Sequence, residues 1–137
     1  MNIKKILLVF LLSLTIFLTG CGKPRNAAVT GLIDHPHSMT LPVGTVMTVQ
    51  LVETKKGGTP GKEIAEEVFK NQDIQIPMQF IVVYDRGSIN ENRAYSITVK
   101  IKDGAGKLLY SNEKEIPVIT QGNPTQAIDV FVVLVNG

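Results

Sequence analysis

The sequence predicts an all-β protein: a single antiparallel β-sandwich, Ig-like, of seven to eight strands, behind an N-terminal signal peptide. Apolar residues recur with period two in short segments, most clearly where Tyr95, Ile97, Val99 and Ile101 alternate with Ser96, Thr98, Lys100 and Lys102. That alternation marks a strand with one buried face. Clusters of Gly, Pro, Asn and Asp separate these segments at near-regular intervals, as turns do. The chain has 1 cysteine, so no intrachain disulfide staples the fold and an apolar core must hold it.

The chain begins with Lys4 and Lys5, followed by an uncharged apolar run from Ile6 to Leu18. This is the layout of a secretory signal. The run falls short of the roughly 20 apolar residues that a membrane-spanning helix needs. It ends in Leu18-Thr19-Gly20-Cys21, which resembles the lipobox of bacterial lipoproteins. The expectation is cleavage before Cys21 and acylation of its sulfur, with palmitate among the chains. Residues 1–20 are then the signal peptide, 21–26 a tether and 27–137 the β domain. About 117 residues remain, enough for one domain with a real core. Lys4 and Lys5 leave with the signal, so 14 cations fall to 12 against 12 acids. A neutral domain has no long-range attraction for nucleic acid or anionic lipid, so charge supports neither as a partner, and no nucleic acid is expected.

Within the domain, residues 27–33 read as a first strand, ending in the turn-rich Asp34-His35-Pro36-His37-Ser38. Residues 45–53 form the next, because Met47, Val49 and Leu51 alternate with Thr48 and Gln50. A loop at 55–61, rich in glycine, follows. Residues 64–69 are ambiguous: Ile64, Ala65, Val68 and Phe69 suit a helical face, yet a strand accommodates them too. Residues 76–85 read as a strand with Ile76, Met78, Phe80, Val82 and Tyr84 on one face and Pro77 at its start or at an edge. Residues 95–102 pair with 107–112 through a tight turn at Asp103-Gly104-Ala105-Gly106. A short strand at 116–120 and a last one at 127–135 complete the set. The last is apolar on both faces, Ile128, Val130, Val132 and Leu134 against Phe131, Val133 and Val135. Such a strand is expected to be central or covered on both sides.

Tyr95 opens its strand after the polar stretch Ile89-Asn90-Glu91-Asn92-Arg93-Ala94. A tyrosine so placed in a β-sandwich buries its ring and bonds its hydroxyl to backbone a few residues upstream, forming a tyrosine corner. The alternative is an aromatic core residue without that bond.

The segments Leu41-Pro42-Val43-Gly44-Thr45-Val46-Met47-Thr48-Val49-Gln50-Leu51, Ile76-Pro77-Met78-Gln79-Phe80, Tyr95-Ser96-Ile97-Thr98-Val99-Lys100-Ile101, Gly106-Lys107-Leu108-Leu109-Tyr110 and Ile116-Pro117-Val118-Ile119-Thr120 together resemble the YbaY/YscW-type lipoproteins. The resemblance implies a small β-sandwich in which residues 64–69 are a strand, lipid-anchored in the cell envelope. One branch of that family serves as lipoprotein chaperones, or pilotins, for the outer-membrane ring of type III secretion. It supplies no partner-binding motif that transfers to individual residues here.

Three function classes follow. No metalloprotease helix motif, nucleophile elbow or phosphate-cradling glycine loop occurs, so an enzyme is not expected, and no cofactor or catalytic residue is assigned. The leading expectation is a non-catalytic, lipid-anchored envelope protein. It is held to the membrane through Cys21, in the outer membrane where the host has one, and contacts another envelope protein as an assembly factor or pilotin-like chaperone. The alternatives are a copper- or zinc-handling lipoprotein using the His35/His37 loop, with Asp34 and Met39 nearby, and a small-ligand binder. Two imidazoles leave a tetrahedral metal site incomplete. A ligand binder requires a dry pocket between sheets, whereas a contact protein requires a filled core and an exposed apolar patch or open strand edge.

Overall fold

The structure, a computed structural model, describes residues 20–55, 57, 59–70 and 73–135. The segment read as the leader, 1–19, lies outside them. The described residues contain β1 (Asn26–Asp34), β2 (Met39–Thr40), β3 (Val46–Thr54), β4 (Pro60–Phe69), β5 (Gln75–Ile76), β6 (Met78–Asp85), a single 3₁₀ turn at Arg86–Ser88, β7 (Ala94–Lys102), β8 (Leu108–Asn112), β9 (Ile116–Val118) and β10 (Ile128–Leu134). Among these residues no helix is long and apolar enough to cross a membrane.

The all-β expectation holds, but two parts of it need correcting. The strands form one continuous eight-stranded sheet in the order β4-β3-β7-β8-β10-β1-β6, with β9 also on β7, rather than two separate stacked sheets of an Ig-like sandwich. The end strands β4 and β6 contact each other, so the sheet curls into a nearly closed barrel. The cause is β10, which inserts between β8 and β1 and joins what would otherwise be two sheets. The second correction concerns direction. The β1–β10 pair is parallel, Gly31 opposite Ile128 and Ile33 opposite Val130, while the other pairs are antiparallel. Two-residue strands β2 and β5 pair separately, Met39 with Ile76; Pro77, joined by a cis peptide, separates β5 from β6.

Period two produces the core. Met47, Val49 and Leu51 of β3, Ile97, Val99 and Ile101 of β7, and Val130 and Val132 of β10 are all fully buried on the inner face. Each such side chain contributes roughly 1.5–3 kcal/mol by leaving water. β1 places Gly31 inward beneath the Phe80 ring. A Cβ there would lie 2.0 Å from the Ile128 carbonyl oxygen and 2.8 Å from the ring. Glycine is the residue that lets β1, β6 and β10 approach so closely.

The ambiguous segment is a strand. Its helix-like pattern comes from a β-bulge: Leu51 opposes Ala65 but Val52 opposes Glu63, leaving Ile64 as the extra residue on β4. Ile64 and Ala65 therefore both pack on the core. A second register shift follows between Val52 and Thr54. There Gly61 passes so close to β3 that a Cβ would sit 2.6 Å from the Glu53 carbonyl oxygen. Tyr95 makes the expected corner, its ring fully buried and its hydroxyl accepting the Asn90 N–H at 2.9 Å. The β7–β8 turn closes with Asp103 Oδ1 accepting the Ala105 and Lys107 N–H groups, both at 2.9 Å, and Gly106 at φ 84°.

Candidate functional site

Three places bear on function, and two of them hold the residues that the sequence singles out, Cys21 and the His35/His37 loop. Cys21 is exposed, and the segment after it is bound to the domain sooner than a six-residue tether implies. The Arg86 Nε donates to the Pro24 carbonyl at 2.9 Å, the Arg86 N–H donates to the Arg25 carbonyl at 2.9 Å, and Arg25 Nε pairs with Asp85 Oδ2 at 2.9 Å. Asp85 Oδ1 also accepts the Gly87 N–H at 2.8 Å. That backbone bond and the Arg25 guanidinium hold the Asp85 carboxyl below the usual carboxylate range. Only Gly22 and Lys23 stand between Cys21 and the first docked residue, Pro24.

Next to this docked segment is a cavity of about 500 Å³ lined by Lys23, Tyr84, Arg86, Ile89, Glu91 and residues 119–121. Ile119 has φ 71° and Gln121 φ 59°, a left-handed conformation that is a genuine outlier for a β-branched residue. Neighbouring bonds hold it: the Thr120 hydroxyl donates to the Arg93 carbonyl at 2.7 Å, and Asn123 Nδ2 donates to the Thr120 carbonyl at 2.8 Å. Burial pushes the Tyr84 phenol up, and Arg86 offsets part of that.

The second place is the outer face of β6, β1 and β10. On β6, Ile81 and Val83 are each 55% exposed, and on β10 Phe131 is 56% exposed. Between them β1 presents Ala28, opposite Val83, and Leu32, opposite Asp129. A groove of about 310 Å³ runs over Leu32 and Ile81, and one of about 430 Å³ joins Phe131 to Ile116 and Pro117. β10 is central, as its two apolar faces predict, yet its outer face is uncovered. The contribution of Ile81 and Val83 was legible in principle, since β6 is apolar at odd as well as even positions.

The third place is the histidine loop. His35 Nδ1 lies 3.1 Å from the His37 carbonyl and 3.2 Å from its N–H, and the His35 ring stands edge-on to Tyr110 at 5.8 Å. The His35 N–H donates to Asp34 Oδ1 at 2.8 Å, so backbone contacts engage both the imidazole and the carboxylate. Among the described residues no group of three or more His, Cys, Asp or Glu side chains is arranged to hold a metal ion.

Known proteins bear on these surfaces. A solved structure described as an alternative pilotin from the type II secretion system of Vibrio cholerae matches with a TM-score of 0.68 and 25% sequence identity, covering 82% of this chain and 99% of that one. No curated protein matches the sequence. The family described as type III secretion system lipoprotein chaperone (YscW) matches residues 24–130, the whole barrel from the docked Pro24 into β10. The chain belongs to the YscW family of secretion-system lipoprotein chaperones.

Proposed function

We propose that this protein is a non-catalytic assembly factor of the cell envelope, anchored by lipid on Cys21. In this reading it binds a subunit of a secretion system's outer-membrane ring through the outer face of β6, β1 and β10. The observation that carries the proposal is Phe131. It sits on a central strand of a filled barrel, beside Asp34 of β1 and on the same outer face as Leu32, Ile81 and Val83, and more than half of it is open to water. Exposed apolar side chains on one face without a covering layer mark a protein contact, and membership of a chaperone family supports a protein partner. The buried inner face argues against a ligand held between sheets. The His35/His37 loop supports metal handling less well, because its imidazoles are tied to local backbone and two of them leave a metal site open.

The test is capture of the lipidated protein from its own membranes. Wild type is expected to retain a secretion-ring subunit, and Phe131→Asp or Ile81→Lys to lose it while staying folded. Cys21→Ser is expected to leave the membrane fraction. Retention of the partner by both surface variants refutes the contact face, whereas membrane association of Cys21→Ser refutes the anchor. His35→Ala with His37→Ala is expected to keep the partner.

A further inference from the structure

The docked segment after Cys21 and the cavity beside it belong to one end of the barrel. We propose that this end faces the lipid leaflet and that the Tyr84–Ile119 cavity takes the phosphate headgroup of an anionic phospholipid, bound by Lys23 and Arg86. The proposal rests on the lipid anchor at Cys21.

Geometry supplies the first argument. From Cys21 to Pro24, the first residue bonded to the barrel, the chain extends at most about 10 Å. A free six-residue linker would let the domain tumble; one docked by Arg86 and Arg25 does not. Screening in physiological salt acts over about 8 Å, so cations at this end lie close enough to headgroups to feel them although the whole domain is neutral. The second argument is chemical. Lys23 and Arg86 outnumber Glu91 on the cavity wall, and Tyr84, Ile89 and Ile119 supply the less polar walls for the glycerol. A volume of about 500 Å³ suits a small ligand. Finally, the wall is preformed. Thr120 and Asn123 lock the left-handed backbone at Ile119 and Gln121, and such outliers persist where the surroundings over-determine them, most often at functional sites.

The far end of the barrel is the control. β7 runs nine residues from the cavity end to the Asp103–Lys107 turn, roughly 30 Å along the strand. The full-length lipidated protein, its Cys21 acylated, is labelled at a single introduced thiol, Ser88→Cys in the 3₁₀ turn or Ala105→Cys at the far turn. It is reconstituted into phosphatidylethanolamine vesicles containing headgroup quencher, with or without phosphatidylglycerol. The probe at residue 88 is expected to be quenched, more strongly with phosphatidylglycerol, while the probe at residue 105 stays bright. Lys23→Glu, which lies outside every strand, is expected to weaken the preference for phosphatidylglycerol about fivefold or more, the effect of one surface cation. Equal quenching at both positions overturns the orientation, and a preference unchanged by Lys23→Glu overturns the headgroup site. If Cys21→Ser still sediments with the vesicles, the anchor reading fails instead, which separates the two.

Discussion

The carboxylate of Glu67 accepts the backbone N–H of Ile81 at 2.7 Å, joining β4 to β6 where the barrel seam would otherwise show an open strand edge. Glu67 lies opposite Val49 on the inner side of β4, and its side chain stands in for the missing ladder carbonyl. Removing it exposes an edge that invites pairing with other chains. Glu67→Ala should therefore speed amide exchange at Ile81 and lower stability by about 1 kcal/mol. Glu67→Gln, which keeps an acceptor, should lose less. Exchange at Ile81 followed by NMR, with urea unfolding of each variant, checks both.

Gly31 should tolerate no side chain. An added Cβ meets the Ile128 carbonyl oxygen, a backbone atom that can move only by separating β1 from β10. Gly31→Ala should cost about 1–3 kcal/mol or more through overpacking, and Phe80→Leu should not rescue it, because the backbone clash remains. Thermal melts of the single and double variants decide the matter.

The two faces of the barrel should respond oppositely to truncation. Ile97→Ala, on the inner face, should lose about 2–5 kcal/mol, while Phe131→Ser on the outer face should stay within about 0.5 kcal/mol of wild type. Denaturant midpoints measure this. A large loss for Phe131→Ser would mean that the ring serves the fold rather than a partner.

Asp85 ties the segment after Cys21 to pH. Its carboxyl is depressed in the folded protein, so its contribution is present above the ordinary carboxylate range and is lost as pH falls through the folded value. Acidification should release the Gly87 N–H and the Arg25 side chain together, visible as coupled shifts of both signals by NMR. Asp85→Asn should remove that acid step while leaving the barrel folded.

Much of this architecture is written locally. The alternation from Tyr95 to Lys102 specifies β7 and its buried face, and the polar stretch ahead of Tyr95 specifies the corner closed by Asn90. What depends on distant partners is not written so. Ile64 and Ala65 mimic a helix because a bulge against β3 turns both inward, and one segment cannot reveal a bulge made by another. The same holds for β10: two apolar faces announce a central strand, but its parallel neighbour β1 decides the barrel. The cavity is less legible still, since nothing in Val118-Ile119-Thr120 signals a left-handed isoleucine. The lipidation expected at Cys21 is the opposite case, resting wholly on a short motif.

The parallel pairing of β1 with β10 also sets a schedule for folding. Gly31 and Ile128 lie about a hundred residues apart in the chain yet face each other in the sheet, so β1 can acquire its full set of neighbours only after nearly all the polypeptide has emerged, and closing that loop is entropically costly. A chain threaded across a membrane amino end first would leave β1 with β6 alone until β10 arrived. The barrel therefore closes only once β10 has joined both β1 and β8.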